Sequence, residues 1–200
     1  NNSWYDPTQP NMNCGSAAGI IGAYGYNNNY TGSLVISGCT NSASVKSYRG
    51  MAGGIAGYLR NAEISGCSNT GTMANGPRSY VGGIIGIADN TAVSGCTATC
   101  KVSGSSAGSE VFSGGGVVGI LWTGSSCKDS AFFGDIISQT TNSSETAGGI
   151  AGSTAAGTSI SNCKAGGNVR GNAVTGSNYS SFIAGDSNAT VSSCTYWDGK

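Results

Sequence analysis

Gly53-Gly54-Ile55-Ala56-Gly57, followed by Ile64-Ser65-Gly66-Cys67, is the stretch against which the rest of this 200-residue chain aligns. Its first half recurs as Ala18-Gly19-Ile20-Ile21-Gly22, Gly82-Gly83-Ile84-Ile85-Gly86, Gly115-Gly116-Val117-Val118-Gly119 and Gly148-Gly149-Ile150-Ala151-Gly152. A worn copy closes the series at Phe182-Ile183-Ala184-Gly185. The closing glycines stand 35, 29, 33, 33 and 33 residues apart. A period in this range marks stacked units, none able to bury its apolar face alone. The second half keeps the same beat at Ile36-Ser37-Gly38-Cys39, Val93-Ser94-Gly95-Cys96, Ile160-Ser161-Asn162-Cys163 and Val191-Ser192-Ser193-Cys194. A third apolar column follows the cysteines at Val45, Met73, Val102 and Val169. The fourth repeat departs from the pattern. Aligned on Gly134-Asp135-Ile136, it has Ser130 at the cysteine position and Cys127 at the isoleucine position.

Each unit therefore offers three short apolar stretches separated by Gly, Ser, Asn and Thr. The separators are turn formers, with glycine read as the supplier of positive φ. Ile and Val suit strands. No window carries a sustained helical period, and 35 glycines weigh against helix. The expected fold is all-β, a parallel β-solenoid of about six coils. At a strand spacing of about 4.8 Å its core would be roughly 29 Å long. The column Ile20, Ile55, Ile84, Val117, Ile150, Ile183 reads as inward-facing, while the next column (Ile21, Ala56, Ile85, Val118, Ala151, Ala184) is mixed and its direction open. Residues 1–16 read as an N-terminal cap or the end of a preceding module, and 17–200 as the repeats with an aromatic C-terminal cap.

The pattern Gly-Gly-Ile-x-Gly, then Ile-Ser-x-Cys-x-x-x-Gly-x-Val, resembles the GLUG motif of bacterial cell-surface repeat proteins. That motif also occurs in non-catalytic regions of secreted IgA-cleaving metallopeptidases. The second repeat carries the resemblance most fully, through Gly53, Ile64, Cys67, Gly71 and Met73. The family is defined by architecture. The resemblance implies a structural or adhesive repeat module, secreted or cell-surface.

Composition narrows the function. Charged residues are only 9% of the chain, nine basic against nine acidic, and there is no histidine. No basic stripe is available to displace counterions, so nucleic acid is not an expected partner. No run of 18 apolar residues exists, so no membrane-inserted helix is expected. The chain begins at Asn1 without methionine, which reads as a processed or excised form. Trp4-Tyr5-Asp6 is echoed by Tyr196-Trp197-Asp198, so Trp4, Tyr5, Tyr196 and Trp197 are candidates for end caps or an end-to-end interface.

Eight cysteines raise the questions of metal and disulfides. Cys96-x3-Cys100 has no second pair and no histidine to complete a zinc site, so neither metal nor cofactor is expected. Cys39, Cys67, Cys96, Cys163 and Cys194 read as a buried column of small apolar side chains. Cys100 and Cys127 fall off that column in neighbouring coils and are the first candidates for a bridge. Cys14 has no evident partner.

Catalysis is not expected. Without histidine no Ser-His-Asp triad exists, the acids occupy different repeat positions, and no Gly-Lys-Ser/Thr closes the glycine segments. A binding surface is the stronger idea. Tyr24, Tyr26, Tyr58 and Trp122 follow closing glycines and would gather on one side of the rod, where aromatic rings suit sugars. Three functions follow: a rigid spacer and display module joined to adjacent modules, a fibre subunit joined end to end to identical subunits, or a module binding surface glycans.

Overall fold

The computed structural model describes residues 15–26, 31–75, 79–106, 112–140, 145–170, 179–186 and 188–197. Every strand pairing among them is parallel, and every partner lies one coil away. Four sheets run along the stack. The first face stacks Gly15–Ala18, Gly50–Gly53, Ser79–Gly82, Phe112–Gly115, Thr146–Gly148 and Tyr179–Ser181. The second face follows the glycine corner. It is continuous over Ala56–Ser65 and Ile85–Ser94 and split in two in the neighbouring coils, as at Val118–Leu121 and Ser126–Lys128. The third face holds six short strands from Thr40–Asn41 to Thr195–Trp197, and the fourth holds five from Val45–Ser47 to Val169–Arg170. The chain is a parallel β-solenoid of about five turns, close to the six expected from the repeats.

The interior is made of the columns seen in the sequence. Ile36, Ile64, Val93, Cys127, Ile160 and Val191 stand in register. Val45, Met73, Val102, Ile136 and Val169 form a second column. Ile55, Ile84, Val117 and Ile150 are fully buried, whereas Ile20, on the first coil, is half exposed. The column whose direction was open also faces inward, with Ala56, Ile85, Val118 and Ala151 buried. The corner explains how consecutive residues both point inside. The Ile84 carbonyl accepts from both Ile55 N–H (2.9 Å) and Ala56 N–H (3.1 Å), which breaks the strand alternation there.

At the corner, glycine is required for space. A Cβ on Gly53, Gly82 or Gly115 would lie within 3.0 Å of the carbonyl oxygen of Ala56, Ile85 or Val118. On Gly54, Gly83 or Gly116 it would strike the next coil's Gly83, Gly116 or Gly149 carbonyl and the third-face side chain of Asn69, Ala98 or Phe132. On Gly57, Gly86 or Gly119 it would strike the preceding coil's closing glycine. None of these nine lies at positive φ. The expectation of left-handed glycine applies instead to the Ser-Gly-Cys corner. There Gly38, Gly66 and Gly95 have φ near 60°, and Asp129, Asn162 and Ser193 adopt the same conformation in later coils.

The two glycine types therefore differ in what they tolerate. Gly83→Ala is expected to cost at least about 3 kcal/mol, because backbone on two coils must separate. Gly95→Asn, whose Cβ would make only an ordinary 3.8 Å contact with Gly66 N and which has Asn162 as precedent, is expected to change stability by less than about 1 kcal/mol. Urea unfolding of the two variants checks this, and equal losses would contradict the assignment.

Candidate functional site

The four aromatic residues expected on one side of the rod are divided by strand alternation. Tyr24 pairs with Leu59, while Tyr58 pairs with Ala23 and Ile87, so the two tyrosines point to opposite sides of the second face. Tyr24 is half-buried against the main core. Tyr58 is buried in a small outer cluster with Met51 and Ile87, bordered by Tyr80 and Ile120. Its hydroxyl donates to Asp89 Oδ2 at 2.8 Å, and Arg60 Nε lies 3.5 Å from the same oxygen. Burial, with the Asp89 bond adding, pushes the Tyr58 phenol well above its ordinary value. Tyr26 packs edge-on against Tyr58 with ring centroids 5.2 Å apart and is 62% exposed. Trp122 is 47% exposed, and its N–H donates to Ala88 O at 2.7 Å, which places it one coil beyond Asp89. The outward strip thus runs Tyr26, Arg60, Asp89, Trp122 across four coils, exposed at its two rings and half-buried between them.

Beside this strip the second face bends, and the bend carries a column of left-handed residues that the motif reading did not single out: Asn61, Asn90, Gly124 and Gly157. Asn90 Nδ2 donates to Asn61 Oδ1 at 2.7 Å. An open groove of about 380 Å³ follows the bend, lined by Asn61, Asn90 and Gly124 on one side and Val35, Glu63 and Ala92 on the other. Inside the bend, hydroxyls replace the hydrocarbon column. Thr91 Oγ1 donates to Leu59 O, Ser125 Oγ to Ala88 O, and Thr158 Oγ1 to Ala155 O. The Asn and Gly at the bend recur at about the period of the repeat, but the residue changes from Asn to Gly between the third and fourth coils, so no shared letter marked the column.

At the far end Tyr196 is half-buried, its hydroxyl donating to Gly167 O at 2.6 Å and its ring stacked on Phe182 at 3.9 Å. Trp197 is exposed. Trp4, Tyr5 and Cys14 lie outside the described residues.

Of the cysteine column, Cys67, Cys96 and Cys163 are buried, and Cys39 and Cys194 are half-buried at the two ends. Each thiol donates to the carbonyl two residues earlier, as Cys96 Sγ does to Ser94 O at 3.4 Å. Ser130 repeats that bond to Lys128 O at 2.9 Å. Cys100 and Cys127 are both free thiols, so the bridge expected between them is not formed. Cys127 stands in the isoleucine column between Val93 and Ile160. Cys100 instead fills the corner held by Gly71 and Gly134 in adjacent coils. Among the described residues no three His, Cys, Asp or Glu side chains are grouped to hold a metal ion. The carboxylates serve as rungs between coils: Asp135 Oδ1 accepts from Asn168 Nδ2 at 3.0 Å, and Asp186 accepts from Ser153 Oγ, Thr154 N–H and Thr154 Oγ1.

Burial pushes the Cys96 and Cys100 thiols up to about 11 from an ordinary 9.0. Cys127 is raised well above it, first by its hydrogen bond with Cys163 and then by burial. Between those values the unfolded chain sheds protons that the folded chain keeps, so stability falls as pH rises from about 9 to 11. The urea midpoint is expected to drop across that window, and the double variant Cys96→Ser, Cys100→Ala to shallow the drop. A midpoint flat in the parent chain would contradict the assignment.

The chain matches no curated protein and no solved structure. A family model does match it. The GLUG motif aligns with residues 48–73 and 78–107, the second and third coils, where corner glycine, isoleucine, cysteine and valine columns are all complete. Neighbouring coils continue the same columns in register, so the chain carries GLUG-motif repeats within a longer run of like coils.

Proposed function

We propose that this chain is a non-catalytic structural module of a secreted or cell-surface protein, serving as a rigid spacer that displays surface residues at fixed intervals. One observation carries the reading: the interior columns repeat from coil to coil, whereas the outward positions beside them vary freely. Such an interior specifies length and stiffness, and leaves the exterior open to other uses. The low charge and the engagement of Asp89, Asp135 and Asp186 in rungs between coils support a role without acid–base chemistry. In-frame duplication of residues 82–114 tests it. One added coil is expected to lengthen the particle by about 4.8 Å in small-angle scattering and to raise the urea m-value. An unchanged m-value, or a flexible scattering profile, would count against a rigid spacer.

A second reading, an end-to-end fibre subunit, is favoured by the terminal coils. Ile20 and Val35 are exposed at one end and Phe182, Val191 and Trp197 at the other. Among the described residues the strands Leu34–Ser37 and Thr190–Ser192 each pair on one side only. An edge of this kind can take a neighbouring strand. Under this reading, sedimentation velocity shows concentration-dependent polymers that Val191→Lys abolishes. A monomer at every concentration leaves the spacer alone.

A further inference from the structure

Resting on the display-surface reading, we infer that the groove along the second-face bend, with Tyr26 and Trp122 flanking its line, binds a neutral oligosaccharide. Three observations on different residues converge there. First, the groove has a volume of about 380 Å³, within the range of small-ligand sites. Second, its walls are of two kinds. Val35 and Ala92, on either side of Glu63, offer hydrocarbon, while Asn90, whose Nδ2 donates to Asn61 Oδ1 one coil away, adds an amide to the opposite wall. A sugar ring presents the same combination of an apolar C–H face and a hydroxyl rim. Third, the exposed rings of Tyr26 and Trp122 stand at the first and fourth coils of the adjoining strip, about 14 Å apart along the stack. Neither ring supports the core from that position. Tyr26 lies over Tyr58, which the Asp89 bond already fixes, and Trp122 is held by its backbone N–H.

Charge selects the neutral class. The cation beside the groove, Arg60, is paired with Asp89, and Glu63 lies in the groove wall, so a carboxylated or sulfated glycan would meet net repulsion. Recognition then rests on stacking and neutral hydrogen bonds.

The test is titration calorimetry of the full chain with cellopentaose, chitopentaose and mannopentaose, preceded by an array of neutral and acidic glycans. Binding to a neutral oligosaccharide is expected, with affinity unchanged from low to high salt. Trp122→Ala should weaken it about tenfold, the loss of one stacked ring. Asn90→Gly keeps a residue suited to the left-handed bend, as Gly124 and Gly157 show, and should weaken binding by a similar factor without lowering the melting temperature. No binding to any neutral glycan, binding indifferent to both substitutions, or binding confined to acidic glycans or to polypeptides and lost in salt, overturns the site. Small-angle scattering on the same samples separates the two readings. A rigid rod that binds no glycan removes the site and keeps the spacer, whereas a flexible chain removes the spacer reading as well.

Discussion

The structure depends on backbone passing backbone at the glycine corner with no room for a Cβ. At Gly54 and Gly83 the next coil's glycine carbonyl lies where a side chain would start, and at Gly57 and Gly86 the preceding coil's does. This contact sets the rise of the solenoid at its tightest point. It also folds the first face back against the second, closely enough for Ala52 to meet Gly86 and Val81 to meet Gly119. Everything wider follows from that pinch. The isoleucine columns fill the space that opens away from it, and the third-face side chain reaches into the gap beside the second glycine. That gap accepts Asn69, Ala98 or Phe132 in successive coils, so a residue chosen freely in size still packs. The last coil shows the rule by exception. Phe182 stands where the other coils have glycine. No described coil lies beyond it to be struck, and its ring covers Tyr196.

A second constraint acts on the polar groups of the third face and the thiol column, where buried donors and acceptors are saturated from neighbouring backbone. Asn41 Nδ2 donates to Asn69 Oδ1, and Asn69 in turn accepts from Gly71 N–H and donates to Gly83 O, so the buried amide of Asn69 is satisfied by backbone on two coils. The thiol column is satisfied in the same way, through the carbonyl two residues back. Read so, Ser130 is no defect in the fourth repeat. A hydroxyl makes the bond the thiol makes, and also accepts from Cys96 N–H at 3.2 Å. What the column requires is a small donor at a turn, and cysteine meets that requirement while adding apolar volume.

The fold was legible because its determinants recur. Corner glycine, isoleucine, cysteine and valine return in most turns, and the register they imply is the register of the sheets. Two things were not legible. The reason for glycine at the corner was assigned to backbone conformation, because sequence alone cannot show a carbonyl one coil away. The direction of the aromatic residues was read from distance to the closing glycine, yet a one-residue difference in position sends Tyr24 inward and Tyr58 outward. The Asn61–Asn90 ladder escaped notice for the opposite reason. Its later members are Gly124 and Gly157, and a column that shares only a backbone conformation leaves no common letter.

That last point bears on how function is written into such a chain. Positions that build the rod must repeat, since each is packed against its own copy one coil away. Positions that meet a partner need not repeat, since a ligand spanning several coils meets a different residue on each. In this chain the outward residues of the first four coils include two exposed rings, an amide ladder and one paired cation, while the equivalent positions of the fifth carry Ala155 and Gly157. The departure from repetition is local, and it coincides with the groove. On a surface with so few charges, long-range steering is weak, and selectivity must come from shape and from hydrogen bonds made at contact. A stiff parallel stack suits that task, because it holds each contributing side chain at a fixed multiple of the coil rise before any ligand arrives.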